Sequence, residues 1–397
     1  MNKKIVDNSE ISFNYQTKTK DRLLGVDLFR AIAAYGVVLI HGLGRIERSE
    51  FTINTVVSFF DMFSVPFFLT AAFFFSRNSL LSNDIKKFIV NRFERIMLPY
   101  FAWSCVYVLA RFGGYLIGDR SSFEKLISDP MRLVFFGGAS VQLYFLPMLF
   151  IGTLVGLPLT RLIGKLNNNI ILIILLFLLS FFNAETIAYT ARSLVLPEAI
   201  IIKDIVYISS SDHPLIYNIV RLILMNVRFI FKCLPYIAFS LLFQSKYFND
   251  IFSRLINFLQ KKRYEKIMPY LLFLFIIAPF VLPILTNKIR ISFIYYLSIP
   301  YLFFFYAIYI SPIIFQKKYL SFLVNKLSYL SFGIYLSHAL ITQSFVPIAI
   351  KLYPNIINTR LSLGISLIFA LIIFLLSAGL TYLLTLNKKL ARVFLGL

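Results

Sequence analysis

The stretch "DLFRAIAAYGVVLIHG", residues 27–42, is apolar enough to enter a bilayer, yet it carries Arg30 and His41. Eleven steps of 100° make three turns plus about 20°, so on a helix both side chains share one face, about 16 Å apart along the axis. Ionisable groups inside a membrane face a bundle interior or a water-filled path, not lipid. Something polar must therefore line that face.

The rest of the chain supplies the membrane. Of 397 residues, 59% are hydrophobic and only 15% are charged, against roughly 25% charged in soluble domains. Apolar runs of around twenty residues, the length that spans hydrocarbon, recur along the whole sequence. The chain reads as an all-α, polytopic integral membrane protein. Ten transmembrane helices are predicted, near 24–43, 55–76, 96–117, 142–160, 169–187, 219–243, 268–286, 292–315, 327–350 and 362–386. The sixth is the least apolar, because it holds Arg221, Arg228 and Lys232.

A net charge of +22 would point to nucleic acid in a soluble protein. Here Lys and Arg are about twice as frequent in the N-terminal arm, the alternate loops and the tail as in the remaining loops. That asymmetry is the positive-inside pattern. No nucleic-acid partner is expected, and both termini are placed in the cytoplasm. Residues 1–22 read as a mobile cytoplasmic arm, 23–387 as one transmembrane domain and 388–397 as a cytoplasmic tail. The first apolar run continues past the core of a signal peptide, so no cleavage is expected. Cys105 and Cys233 both fall in predicted spans, which argues against a disulfide framework. His213, in the long outward loop at about 188–218, reads as a solvated loop residue.

With this orientation Arg30 lies toward the cytoplasm and His41 toward the outside. Arg30 alone could be a snorkelling anchor, but the pair on one face fits a polar path across the membrane. Asp61, in "FFDMFSVPFFLTAAFFF", falls in the outer half of the second span. A carboxylate at that depth either orients an imidazole, fixing its tautomer, or solvates a polar pocket. "NRFERIMLPY" leads into the third span with Arg92 and Arg95 one turn apart on one face. Paired guanidiniums suit phosphate through bidentate forks, and lipid headgroups would use the same chemistry. Gln142 and Tyr144 open the fourth span in "SVQLYFLPMLF". "LSYLSFGIYLSHALI" brings His338 to mid-membrane, with Ser331, Tyr335 and Ser337 nearby. No metal-ligand spacing or Gly-rich phosphate loop is present.

These motifs carry a resemblance. "DLFRAIAAYGVVLIH" resembles the first-helix signature of the membrane acyltransferase-3 family, an Arg, ten residues, then a His. "SVPFFLTAAFFF" is similar to the family's second-helix Phe-Phe stretch, although Thr70, Ala71 and Ala72 stand where Ser-Gly is usual. "NRFERIMLPY" is similar to its Arg-x-x-Arg approach to the third helix, "LYFLPMLF" to the start of its fourth, and "YLSFGIYLSHALI" to its late Tyr-Leu-x-His pattern. Together and in order they cover most of the chain. The family includes bacterial enzymes that O-acetylate polysaccharides, lipopolysaccharide and peptidoglycan.

The resemblance implies an acyl group, commonly acetyl, taken from cytoplasmic acyl-CoA and delivered to a hydroxyl of a cell-surface glycan or its lipid-linked precursor. It implies Arg30, Arg92 and Arg95 on the CoA phosphates and His41 as general base or acyl relay. Asp61 and His338 complete the catalytic candidates, and Gln142, Tyr144 and Tyr335 form the candidate acceptor pocket. Acetyl-CoA would be the donor substrate, with no bound cofactor and no metal, in a bacterial inner membrane whose lipids surround the protein. The rival classes are a transporter or flippase of lipid-linked glycans, which also needs polar helix faces, and a membrane glycan polymerase.

Overall fold

The computed structural model describes residues 23–43, 51–80, 84–116, 120–165, 169–191, 214–243, 245–259, 267–286, 293–352 and 363–397. The N-terminal arm and His213 lie outside the described residues. Among the described residues the regular structure is all helical. The helices are α1 (Leu24–Leu43), α2 (Phe51–Leu80), α3 (Ile85–Leu116), α4 (Arg120–Ile127), α5 (Pro130–Phe135), α6 (Phe145–Lys165) and α7 (Ile170–Ala191). They continue with α8 (Pro214–Phe243), α9 (Lys246–Leu259), α10 (Met268–Thr286), α11 (Phe293–Gln316), α12 (Lys318–Leu352), α13 (Leu363–Thr385) and α14 (Lys388–Leu395). A 3-10 turn, Val141–Tyr144, precedes α6.

Seven of these, among the described residues, are long and apolar enough to cross a membrane. They are the helices at Leu24–Gly42, Thr55–Ser76, Ile85–Leu116, Val141–Ile163, Leu215–Phe243, Ser298–Gln316 and Gly364–Thr385. The ten predicted spans are thus not all matched. At 169–187 and 268–286 continuous helices are present, α7 of 22 residues and α10 of 19 residues. At 327–350 the helix α12 is present, but His338, Gln343 and a series of hydroxyls dilute its apolar character. The sixth predicted span is a continuous helix, α8, despite its three cations.

Helix α1 is the hub. Its span is 67% buried, against 28% for α13 at the rim, and it packs against α2, α11, α12 and α13. Lipid tails are as apolar as any side chain, so packing rather than hydrophobic transfer holds such helices together. Aromatic rings supply much of it here. Phe29 of α1 has its ring centroid 6.1 Å from Phe63 and 5.9 Å from Phe67 on α2, and 5.1 Å from Phe303 on α11. Tyr35 meets Phe60 at 6.3 Å, so α1 and α2 run antiparallel. At the start of α1 the backbone amide of Gly25 donates to Ser311 Oγ at 2.9 Å, and α1 and α11 touch backbone to side chain.

Within the expected C-terminal tail, Lys388–Leu395 forms the helix α14. Asn387 caps α14 by accepting from the amides of Lys389 and Leu390, and Gly396 closes it in a left-handed conformation at φ 66°. Ala391 and Leu395 are buried. Trp103 of α3 donates from Nε1 to the Phe394 carbonyl at 2.9 Å, and Arg392 pairs with Glu94 at 2.9 Å. An isolated helix this short is marginal, so docking on α3 is what holds it.

Between α3 and α6, Asp129 caps α5 by accepting from the Arg132 amide at 3.0 Å and pairs with Arg221 of α8 at 2.8 Å. Burial opposes the charge on Asp129, but the hydrogen bonds and the positive charges of Arg221 and Arg132 outweigh it, holding the carboxyl below the usual carboxylate range. A depressed carboxyl contributes stability at neutral pH that disappears as pH falls through its folded-state value. Asp129→Asn keeps an acceptor for the cap but loses the charge. It should cost about 1 to 2 kcal/mol at pH 7. The difference in melting temperature from the parent should shrink on acidification below about pH 4; a gap that stays constant would assign the effect to packing.

Candidate active site

The polar residues gather at two ends of the bundle. At the α1 N-terminal end, Arg30 lies 3.6 Å from Asp27, which accepts a 2.5 Å hydrogen bond from Ser328 of α12. Asp27 is buried, so its charge is balanced locally by Arg30 and bonded by Ser328. The antiparallel α1–α2 pair brings the C-terminal half of α2 to this same end. There Arg92 donates from Nη2 to Ser76 Oγ at 2.6 Å and lies over the Phe88 ring at 5.4 Å. Arg95 is exposed and within electrostatic reach of Arg92. Its backbone abuts Gly396 at the end of α14, where an added Cβ would stand 2.4 Å from the Arg95 carbonyl oxygen. Helices α1 and α3 are not principal packing partners, so Arg30 and the Arg92–Arg95 pair reach this end on separate elements.

At the opposite end of α1, the ring centroids of His41 and His338 are 5.2 Å apart, tilted by 31°. His338 is fully buried, and its Nδ1 lies 2.7 Å from the Tyr335 carbonyl oxygen. A carbonyl only accepts, so in the neutral ring Nδ1 carries the hydrogen and Nε2 the lone pair. Nε2 has no hydrogen-bond partner among the described residues. The arrangement is a buried imidazole, held in one tautomer, with its basic nitrogen uncommitted beside a second imidazole. Its Nε2 lone pair is open to a hydrogen-bond donor. The tautomer of His338 is set by a backbone carbonyl and needs no carboxylate.

Asp61 is exposed on α2. The register that faces Tyr35 to Phe60, and Gly36 to Phe60 and Ser64, puts Asp61 level with Tyr35 and Gly36. That is more than a turn short of His41. Asp61 acts electrostatically on Tyr144, as does Arg228 of α8, and the Lys232 Nζ lies over the Tyr144 ring at 5.8 Å. Tyr144 thus joins a charged cluster drawn from α2 and α8. The cations of that cluster were visible in the sequence only as an impairment of the sixth span, although charges inside a span are functional candidates by default.

Gln142 and Tyr335, expected in an acceptor pocket, are turned into the protein. Gln142 is 1% exposed. Its Nε2 donates to Tyr107 Oη at 2.7 Å, its Oε1 accepts from Ser140 at 2.6 Å, and its carbonyl accepts from Tyr335 at 2.6 Å. Both residues therefore tie the 3-10 turn to α12 beside His338. Tyr107, absent from the sequence candidates, is the node of this network. Ser331 is committed to the Ser328 carbonyl at 2.8 Å. Among the described residues no group of His, Cys, Asp and Glu forms a metal site. Cys105 and Cys233 are free thiols, Cys105 exposed and Cys233 buried.

Among the described residues the architecture is a helical bundle with apolar spanning helices, guanidiniums at one end and an imidazole pair at the other, as in a membrane-embedded protein. A family model described as an acyltransferase domain, of the acyltransferase-3 type, matches residues 23–385, and the chain belongs to that family. It is a membrane acyltransferase. No curated protein and no solved structure matches it.

Proposed function

We propose that the protein is an O-acyltransferase of the bacterial inner membrane. It would take an acyl group, acetyl in the first instance, from cytoplasmic acyl-CoA and deliver it to a hydroxyl of a cell-surface glycan or its lipid-linked precursor. The observation that carries this reading is the His41–His338 pair at 5.2 Å, set at the far end of α1 from Arg30. Arg30, Arg92 and Arg95 hold the CoA phosphates, and the donor arm reaches along the bundle toward the imidazoles. The separation, about 16 Å along α1, calls for a long flexible donor such as the pantetheine arm of CoA. At the far end His41 and His338 remove the proton of the acceptor hydroxyl as it attacks the thioester carbonyl, and the thiol of CoA leaves. Tyr144, with the charges around it, borders the acceptor side. Both termini lie in the cytoplasm, as the distribution of Lys and Arg favours.

The test is purified protein in detergent with acetyl-CoA labelled in the acetyl group and extracted membrane glycan. Label should move to the glycan with release of free CoA. Arg92 gives up a charge-assisted contact when replaced by Ala, costing about 1.5 to 3 kcal/mol of donor binding, roughly ten- to a hundredfold. Arg92→Ala and Arg95→Ala should raise the Michaelis constant for acetyl-CoA more than they lower its turnover. Unchanged donor binding in both would leave these residues as membrane anchors. A parent protein that neither binds acetyl-CoA nor releases CoA would return the chain to the transporter or polymerase readings.

A further inference from the structure

The Tyr107 hydroxyl sits where one helix rarely admits another. It donates to the Leu336 carbonyl at 2.7 Å and accepts from the Leu340 amide at 3.2 Å. Residues 336 and 340 are an i, i+4 pair, the two groups that an uninterrupted α-helix joins to each other. The phenol of α3 therefore enters the backbone ladder of α12, and the residue at the centre of that turn is His338. A hydroxyl offers one hydrogen and two lone pairs, and Tyr107 uses all three, the last for Gln142 Nε2 at 2.7 Å. Side-chain insertion into the ladder is one of the identifiable causes of local helix distortion.

The same Gln142 reaches His338 by a second route. Its carbonyl accepts from Tyr335 Oη at 2.6 Å, and the Tyr335 carbonyl faces His338 Nδ1 at 2.7 Å. Ser140 secures the Gln142 amide oxygen at 2.6 Å. Packing alone does not require this. A buried phenol is satisfied by one partner, and the Tyr107 ring already packs against Trp103, tilted by 40° at 6.0 Å.

We propose that Tyr107 is a positioning residue. By bonding both the Leu336 carbonyl and the Leu340 amide, with Gln142 as its brace, it registers the His338 ring beside that of His41. This deepens the proposed function, since it rests on the imidazole pair being the proton-handling centre. Tyr107 touches neither donor nor acceptor; it acts through His338. With the hydroxyl removed, the Leu336 carbonyl and Leu340 amide are left to each other, the turn tightens and the ring moves.

The experiment uses the full chain in detergent, labelled with nitrogen-15 at histidine. The sequence has three histidines, so the side-chain nitrogen spectrum is small enough to assign with His41→Gln and His338→Gln. In the parent, His338 should show the tautomer protonated at Nδ1. In Tyr107→Phe its signals should move while those of His213 stay, and acetyl turnover should fall on the order of ten- to a hundredfold with an unchanged Michaelis constant for acetyl-CoA. Unmoved His338 signals would overturn the proposal whatever the activity, and so would moved signals with full turnover. If Tyr107→Phe does not insert, Gln142→Met, which strips the brace and leaves the phenol, is judged by the same two readouts. A parent that lacks acetyl transfer altogether would refute the proposed function, while the nitrogen signals would still decide whether Tyr107 orients His338.

Discussion

His41→Gln and His338→Gln should each abolish detectable acyl transfer while the protein still inserts and still binds acetyl-CoA. An amide of similar size cannot accept a proton, and a positioned base contributes roughly a hundred- to ten-thousandfold. The rings are 5.2 Å apart, and the uncommitted Nε2 belongs to His338, so the pair is expected to work as one unit. Residues that act as a unit are not additive. The double variant should therefore lose about as much as either single one. Asp61→Asn should lose far less, because Asp61 stands more than a turn from His41 and the tautomer of His338 is set by the Tyr335 carbonyl. Turnover of labelled acetyl-CoA, with donor binding measured separately, decides this. Near-normal turnover in either single variant would remove that ring from the proton chemistry.

The largest structural effect is expected at Gly25. A Cβ added there would stand 1.8 Å from the Ala307 carbonyl oxygen and 2.9 Å from Ser311 Oγ. Backbone oxygen cannot rotate away, so α1 and α11 would have to separate. The Gly25–Ser311 hydrogen bond would be lost with them. Overpacking costs typically about 1 to 3 kcal/mol and more where the backbone must move, so Gly25→Ala should cost about 3 kcal/mol or more. Gly42, at the other end of the same helix, is the control. The nearest atoms to an added Cβ there are 3.8 Å away, in ordinary contact. Thermal unfolding in detergent should show Gly25→Ala strongly destabilised and Gly42→Ala close to the parent. Equal melting temperatures would mean that the α1–α11 approach is looser than its geometry implies.

Both predictions concern the helix whose sequence is most readable. The apolar run around Arg30 and His41 marks a spanning helix because hydrocarbon thickness sets a length that composition alone reveals. The 100° step puts both side chains on one face without reference to any other residue. Six further spans were legible for the same reason. Of the other three predicted spans, 169–187 and 268–286 are continuous apolar helices, and 327–350 carries His338 and a series of hydroxyls, which weaken a signal that depends on composition.

Alone, then, the sequence determined a helical membrane protein, seven of its apolar spanning stretches and the pairing of an arginine with a histidine on one helix face. It also identified the residue types from which a site could be built. The tertiary structure alone decided which of them meet. His338 joins His41 across 297 positions of chain, and no periodicity within either helix carries that information. Gln142 and Tyr335 are turned inward because a buried amide and phenol must find partners. Those partners, Tyr107 and Ser140, exist only once α3, the 3-10 turn and α12 are packed together. The tail became α14 for a like reason: eight residues are too few to hold a helix in isolation, and the contacts that hold it belong to α3. Local physics acts through neighbours in sequence and so can be read from it. The geometry of a site acts through neighbours in space, which packing alone supplies.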